Sequence, residues 1–166
     1  MSQLYKAYYP AEIGLIEIIG DEASIKSLYF VEAQAPDASP DRADLPQVIS
    51  DCLAQLDEYF KGERAEFSLE LAPAGSEFQK AVWQELTTIP YGQTVSYLDI
   101  AKKVGDEKSV RAVGAANGQN PISIIIPCHR VIGSDGKLVG YGGGLWRKAW
   151  LLKHEKALAT GQLSLF

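Results

Sequence analysis

Ala72-Pro73-Ala74-Gly75 divides this chain more sharply than any other stretch. A proline between small residues, closed by a glycine, continues neither a helix nor a strand. Directly after it, Ser76 and Gln79 stand at the spacing of a capping box, so a helix begins where the linker ends. The charge changes sign at the same place. Residues up to Gly75 carry 5 Lys+Arg against 14 Asp+Glu, a net of −9; those from Ser76 onward carry 11 against 7, a net of +4, and the whole chain stands at −5. We therefore expect two domains, 1–75 and 76–166, of which only the second meets a polyanion.

The first domain reads as a small antiparallel sheet with one helix. Residues 5–9 and 13–19 are two strands joined around Pro10 and Gly14, and residues 24–31 form a third after the turn at Gly20-Asp21-Glu22. Residues 34–46, rich in Pro, Asp, Ala and Ser, have no apolar period and are a loop. Residues 47–60 place Val48, Ile49, Cys52, Leu53, Leu56, Tyr59 and Phe60 at helical spacing, with Gly62 as the stop. Cys52 lies on that stripe and belongs to the core. Residues 67–71 alternate as one more strand.

The second domain reads as mostly helical, which makes the whole chain α+β. The capped helix runs from Ser76 to about Thr88, with Phe78, Val82, Trp83 and Leu86 inward, and Ile89-Pro90-Tyr91-Gly92 breaks it. Ser96 with Asp99 caps a short helix, 97–104, whose Leu98, Ile100, Ala101 and Val104 face inward. Gly105-Asp106 turns the chain into a second helix, 108–118, and the pair fits a helix-turn-helix. This second helix is built of small residues: Ala112, Val113, Gly114, Ala115 and Ala116. Base-reading helices carry several long polar side chains. Here only Lys108, Arg111 and Asn117 qualify, so the helix suits a shallow or narrow groove read with little sequence preference.

Beyond it lies the chemistry. Ile124-Ile125-Ile126 is an apolar run read as a buried strand, and Pro127 stops it. Cys128 follows, flanked by His129 and Arg130. A thiol reacts as thiolate, and neighbouring cations or hydrogen-bond donors lower its pKa, so Cys128 has the setting of a held nucleophile. The competing reading is a buried structural cysteine. Gly133-Ser134-Asp135-Gly136 reads as a hairpin turn between Val131-Ile132 and Leu138-Val139. Gly140-Tyr141-Gly142-Gly143-Gly144 lacks the phosphate-loop pattern and reads as a pocket wall where main chain approaches a ligand. A last helix, 145–157, carries Leu145, Ala149 and Leu152 with Trp146 and Trp150 on overlapping apolar faces, and ends in Lys153-His154-Glu155. The tail after Ala159 has no period and is peripheral.

A cysteine nucleophile needs a base, and the base an orienting group. Glu155 is the candidate orienter, while His129 and His154 compete as the base. His129 is next to Cys128 in the chain, so direct contact is awkward and a water is the natural bridge. Two distant cysteines make neither a disulfide framework nor a C-x-x-C pair, and neither histidine sits at zinc-finger spacing. No apolar run nears the roughly 20 residues of a membrane span. The N-terminus lacks a secretory pattern, and a cytoplasmic protein is expected.

Taken together, the second half resembles the O6-alkylguanine–DNA alkyltransferases. The resemblance rests on Ser96-Tyr97, Arg111-Ala112-Val113-Gly114, Asn120-Pro121, Ile126-Pro127-Cys128-His129-Arg130-Val131, and Tyr141 through the glycines to Trp150-Leu151-Leu152-Lys153-His154-Glu155. It implies a ribonuclease H-like first domain and direct repair of double-stranded DNA containing O6-alkylguanine, approached from the minor groove. Cys128 would take the alkyl group and be spent, through a relay of Glu155, His129, water and Cys128, with Asn120 ordering the turn before the cysteine. Arg111 would fill the space of a rotated nucleotide, with Ala112, Gly114 and Ala115 against the DNA. Tyr97 would crowd the phosphate and bond the base, and Val131, Tyr141 and Gly142 would line the base site.

The resemblance also implies a monomer without cofactor. Ser123 stands where several relatives carry proline and Gly142 where some carry serine, which leaves the accepted alkyl size open. The cysteine and histidine that hold zinc in some relatives' first domain have no counterparts, so no metal is expected. Cys128 is retained where a sister group of non-repairing, lesion-binding proteins replaces it, which favours transfer. A cysteine hydrolase and a regulatory DNA-binding module remain the alternative readings.

Overall fold

The computed structural model describes residues 3–32 and 44–157. It divides into two compact units, Met1–Ala74 and Gly75–Phe166. Most of the loop expected at 34–46 and the tail after Ala159 lie outside the described residues.

In the first unit, strands β1 (Tyr5–Ala11), β2 (Gly14–Gly20) and β3 (Ile25–Val31) form an antiparallel meander in that order. Pro10 is not the connection but part of β1, opposite Leu15. β1 is an edge strand, where a missing N–H costs no ladder bond. The register slips at Ile19/Gly20, and a Cβ on Gly20 would come 2.5 Å from the Ser24 carbonyl, so the bulge needs glycine. Helix α1 (Gln47–Phe60) buries Ile49, Cys52, Leu53, Leu56 and Tyr59. Tyr9 ties it to the sheet: its hydroxyl donates to Asp57 Oδ1 at 3.0 Å and its ring stacks on Phe60. Cys52 is fully buried, and burial pushes its thiol up to about 12, which keeps it inert.

Residues 67–71 are not a strand. Leu71 makes one parallel bridge to Ile25, while the Ser68 N–H donates to the Gln55 side-chain oxygen at 2.9 Å. A helix side chain satisfies the backbone that a ladder would have used.

In the second unit, helix α2 (Glu77–Leu86) opens with the expected capping box: Ser76 accepts from the Gln79 N–H, and the Gln79 side chain accepts from the Ser76 N–H. Val82, Trp83 and Leu86 are buried, but Phe78, the second residue of the helix, is exposed. Strand β4 (Val95–Ser96) leads into α3 (Tyr97–Val104), whose capping box joins Ser96 and Asp99. Gly105, at φ 150°, ends α3. The second helix of the helix-turn-helix starts later than its pattern implies. Asp106 accepts from the Lys108 N–H and nucleates a 3₁₀ turn (Glu107–Ser109), and α4 follows as Val110–Gly118.

Two further expectations fail. Strand β5 (Val131–Ile132) pairs in parallel with β4, not with residues 138–139, although Gly133 N–H to Lys137 O at 2.9 Å closes the turn. Helix α5 spans Leu145–His154 and stops short of 157. Of its expected apolar face Leu152 is buried and Ala149 packs on Ile132, Leu138 and Leu152, but Leu145 and Trp146 in the first turn are exposed while Arg147 and Lys148 are buried. The two cations go inward because main-chain carbonyls of the glycine loop receive their heads. Among the described residues no helix is long and apolar enough to cross a membrane, and no group of three or more His, Cys, Asp or Glu could hold a metal ion.

Candidate active site

The approach to Cys128 is a stack of tight turns rather than a strand. Ile122, Ile124 and Ile126 are buried, but Ile126 N–H returns to Ile122 O, and Ile125 N–H bonds Ser123 O at 2.8 Å. Ile124 holds φ 71°, a left-handed conformation that strains a β-branched residue by about 1–3 kcal/mol. Asn120 over-determines it. Its side-chain amide donates to Ile126 O at 2.8 Å and its Oδ1 accepts from Ile122 N–H at 3.0 Å, so one buried side chain staples both ends of the loop. Asn117, also buried at the end of α4, donates to Cys128 O at 3.4 Å, and Trp83 Nε1 donates to Ala116 O at 2.8 Å, which fixes α4 on α2.

Cys128 opens a 3₁₀ turn, Cys128–Arg130, that sends three consecutive side chains into the interior. Glu155, directly after α5, receives two of them. His129 Nε2 lies 2.8 Å from Glu155 Oε2, and Arg130 grips the same carboxylate bidentately, Nε to Oε1 at 2.8 Å and Nη2 to Oε2 at 3.1 Å. Arg130 Nη1 donates to Ile89 O at 2.7 Å. Burial alone would raise the Glu155 carboxyl, but its hydrogen bonds to His129 and Arg130 and the Arg130 charge outweigh it and hold the group well below the usual carboxylate range.

Burial lowers His129 despite the opposing pull of Glu155, so the imidazole is neutral near pH 7. An ionised Glu155 can only accept, so the one proton of neutral His129 sits on Nε2. That leaves Nδ1 with a bare lone pair, buried and without a hydrogen-bond partner. His154 stacks on Trp150 instead, with ring centroids 4.9 Å apart.

The thiol differs from the sequence expectation. His129 and Arg130 are turned towards Glu155, and burial raises the Cys128 pKa; Asn120 and the Lys148 cation only pull it partly back. At rest Cys128 is a thiol that must lose its proton to react. Lys148, brought down to about 8 by burial, donates to Val139 O at 2.9 Å and Gly140 O at 3.2 Å and so pins the glycine loop. Neither Lys148 nor the structural grip of Arg130 was assigned from sequence. Lys148 stands three and four residues before the buried Leu151 and Leu152, a spacing that does mark it as facing inward.

The remaining residues fall into two groups. Tyr97 and Tyr141 lie close enough to Cys128 for its charge to raise both hydroxyls, after burial, which acts most. The Tyr97 hydroxyl donates to Val139 O at 2.9 Å, and the buried Tyr141 hydroxyl has no hydrogen-bond partner. Val131 is fully buried in β5, and Gly142 is exposed with open space where a Cβ would be. Arg111, Ala112 and Ala115 are exposed on α4, and Gly114 beside them is half-buried. Gly114 joins the two groups, since it lines a cavity of about 300 Å³ with Tyr97, Val110, Val139 and Gly140.

A buried cysteine at the end of a stapled loop, next in sequence to an imidazole that a carboxylate orients, on a unit with a helix-turn-helix, has the make-up of a thiol group-transfer protein that meets nucleic acid. Residues 77–157 match the family profile described as the 6-O-methylguanine DNA methyltransferase, DNA binding domain, and residues 4–73 that of the same enzyme's ribonuclease-like domain. The methylated-DNA–protein-cysteine methyltransferase of Mycolicibacterium paratuberculosis is 46% identical over 93% of each chain, and that of Methanosarcina acetivorans is 46% identical over 92% of this chain and 98% of the relative. The crystal structure of the Mycobacterium tuberculosis O6-methylguanine methyltransferase superposes with a TM-score of 0.81 at 43% identity, covering 99% of both chains. The M. tuberculosis enzyme in complex with DNA gives 0.81 at 45% identity over 97% of this chain and 98% of that one. The chain belongs to the 6-O-methylguanine DNA methyltransferase family.

Proposed function

We propose that this protein repairs DNA directly, moving the alkyl group of O6-alkylguanine onto Cys128 and ending as an S-alkyl cysteine. The observation that carries this reading is the buried line from Arg130 through Glu155 to His129, which leaves a bare imidazole nitrogen one residue from a buried thiol. In the reaction the thiol proton passes through a water to His129 Nδ1 as sulfur attacks the alkyl carbon. The S–C bond forms while the bond to guanine O6 breaks; the departing guanine anion takes a proton at its ring from solvent, and His129 returns the thiol proton to solvent. A thioether has no good leaving group, so each molecule acts once.

The target oxygen lies within the base stack, so the nucleotide must leave the duplex. The open face of α4 supports an approach to the minor groove, Arg111 standing where it can fill the vacated space and Ala112, Gly114 and Ala115 letting the backbone come close. Tyr97, Val131, Tyr141 and Gly142 form the base site around the sulfur. Tyr97 then exchanges its bond to Val139 for one to the base. Asn120 acts through the turn it staples and is a positioning residue. We assign residues 1–75 and 76–166 as the two domains of a cytoplasmic monomer. A reducing compartment suits a protein with two free thiols.

Arg111→Ala should slow transfer from duplex DNA by about tenfold or more, since extrusion of the base costs a few kcal/mol. Reaction with the free O6-methylguanine base should be untouched. Single-turnover rates on both substrates test the proposal, and equal losses would remove Arg111 from base extrusion.

The proton relay is tested by pH. A base-competent His129 whose pKa lies below the ordinary value of about 6.5 keeps transfer level as pH falls through that value, with decline only further down. A rate already halved near pH 7 would place the base elsewhere.

A further inference from the structure

Among the described residues, six large apolar side chains are exposed, and three of them, Val139, Leu145 and Trp146, flank the glycine loop within eight residues. Trp146 is the most open of these three, at 57% exposed. Its position is nonetheless fixed. The Arg147 guanidinium lies over the indole, 4.5 Å from the ring centroid, and is itself held by a bond from Nη1 to Gly143 O at 3.0 Å. The indole edge rests on Gly144, where a Cβ would stand 3.2 Å from Trp146 Cδ1. One face and one edge are thus taken by the protein, and the exposure belongs to the other face. The face left in water contributes nothing by burial, so a planar aromatic surface stands open in a fixed place.

From these observations we propose that Trp146 is a stacking platform for an unpaired nucleobase of the DNA strand beside the extruded lesion; this rests on the function proposed above. The charge of the chain from Ser76 onward, +4, favours a polyanion over an apolar protein as the occupant. The loop carrying the platform shares the cavity with α4 through Val139, Gly140 and Gly114, which puts it on the side where DNA is proposed to lie. A base face on an aromatic ring needs no sequence match, in keeping with a helix that reads few bases. The cation beneath the indole strengthens the platform without touching the base.

The test compares the full chain with Trp146→Ala and Trp146→Phe on a short single strand and on a duplex, each carrying one O6-methylguanine. Trp146→Ala should weaken binding to both about tenfold or more, Trp146→Phe should restore most of it, and the reaction rate with the free O6-methylguanine base should not change. Wild-type binding by the alanine variant would overturn the proposal and leave the patch to another occupant. A loss that phenylalanine fails to rescue, or one that lowers the free-base rate in step, would overturn it as well, since either marks a packing role. Absence of methyl uptake by the wild-type protein would instead count against the function proposed above, and the binding comparison is read independently of it.

Discussion

Cys128→Ala abolishes methyl uptake from DNA while lesion binding survives. The side chain is 5% exposed and its carbonyl and N–H are held by Asn117 and Ile126, so removal of one sulfur leaves the turn intact. The only other cysteine, Cys52, cannot substitute, since it is packed in α1 of the first unit with its thiol raised to about 12. A filter assay with labelled O6-methylguanine duplex reads both quantities at once: label bound without transfer for the variant, label transferred for the wild type. Residual transfer above background would take Cys128 out of the mechanism.

The second large effect belongs to Arg130. Replacing it with leucine leaves Glu155, 1% exposed, with a neutral imidazole at His129 in place of a guanidinium to balance its charge. Breaking a buried pair from one side costs about 3–5 kcal/mol, because the uncompensated charge stays inside. The Glu155 pKa then rises, and either it binds a proton or it draws one onto His129; both outcomes remove the base. Arg130→Leu should therefore lose that much stability in denaturant unfolding and nearly all transfer. Arg130→Leu/Glu155→Leu should regain much of the stability and none of the activity, since His129 loses its orienter.

The pH dependence follows in sign. Glu155 is depressed in the folded state, so its contribution is fully present above the unfolded carboxylate value of about 4.3 and is lost as pH falls below it. That acid limb should be blunted in Arg130→Leu. A loss under about 1 kcal/mol for the single variant would show that the triad holds nothing together.

Much of this was legible in the residues. Both capping boxes, Ser76 with Gln79 and Ser96 with Asp99, and the stripe of α1 are local signals, fixed by bonds three or four residues apart. Placing Glu155 as orienter relied on chemistry that links a thiol, a base and a carboxylate, and the structure joins it to His129. What escaped is what depends on distant partners. The isoleucine run has strand composition, but Asn120 bonds Ile122 N–H ahead of it and Ile126 O at its end and holds a turn. Residues 131–132 pair instead with β4, some 36 residues upstream, a partner that no local pattern announces. Arg130 looked like an activator of the thiol, yet its guanidinium reaches Glu155 and Ile89 O. The first turn of α5 departs from its expected face, Leu145 and Trp146 staying outside, because the carbonyls of Val139 and Gly140 receive the Lys148 head inside; further along, Leu152 is buried as expected.

The most direct test of the central claim is the intact mass of the protein after mixing with excess duplex carrying one O6-methylguanine. A gain of one methylene per molecule is expected, mapped to Cys128 and saturating at one however much DNA is added. Unchanged mass with the DNA still bound, or DNA repaired in more than one turnover per protein, would contradict it.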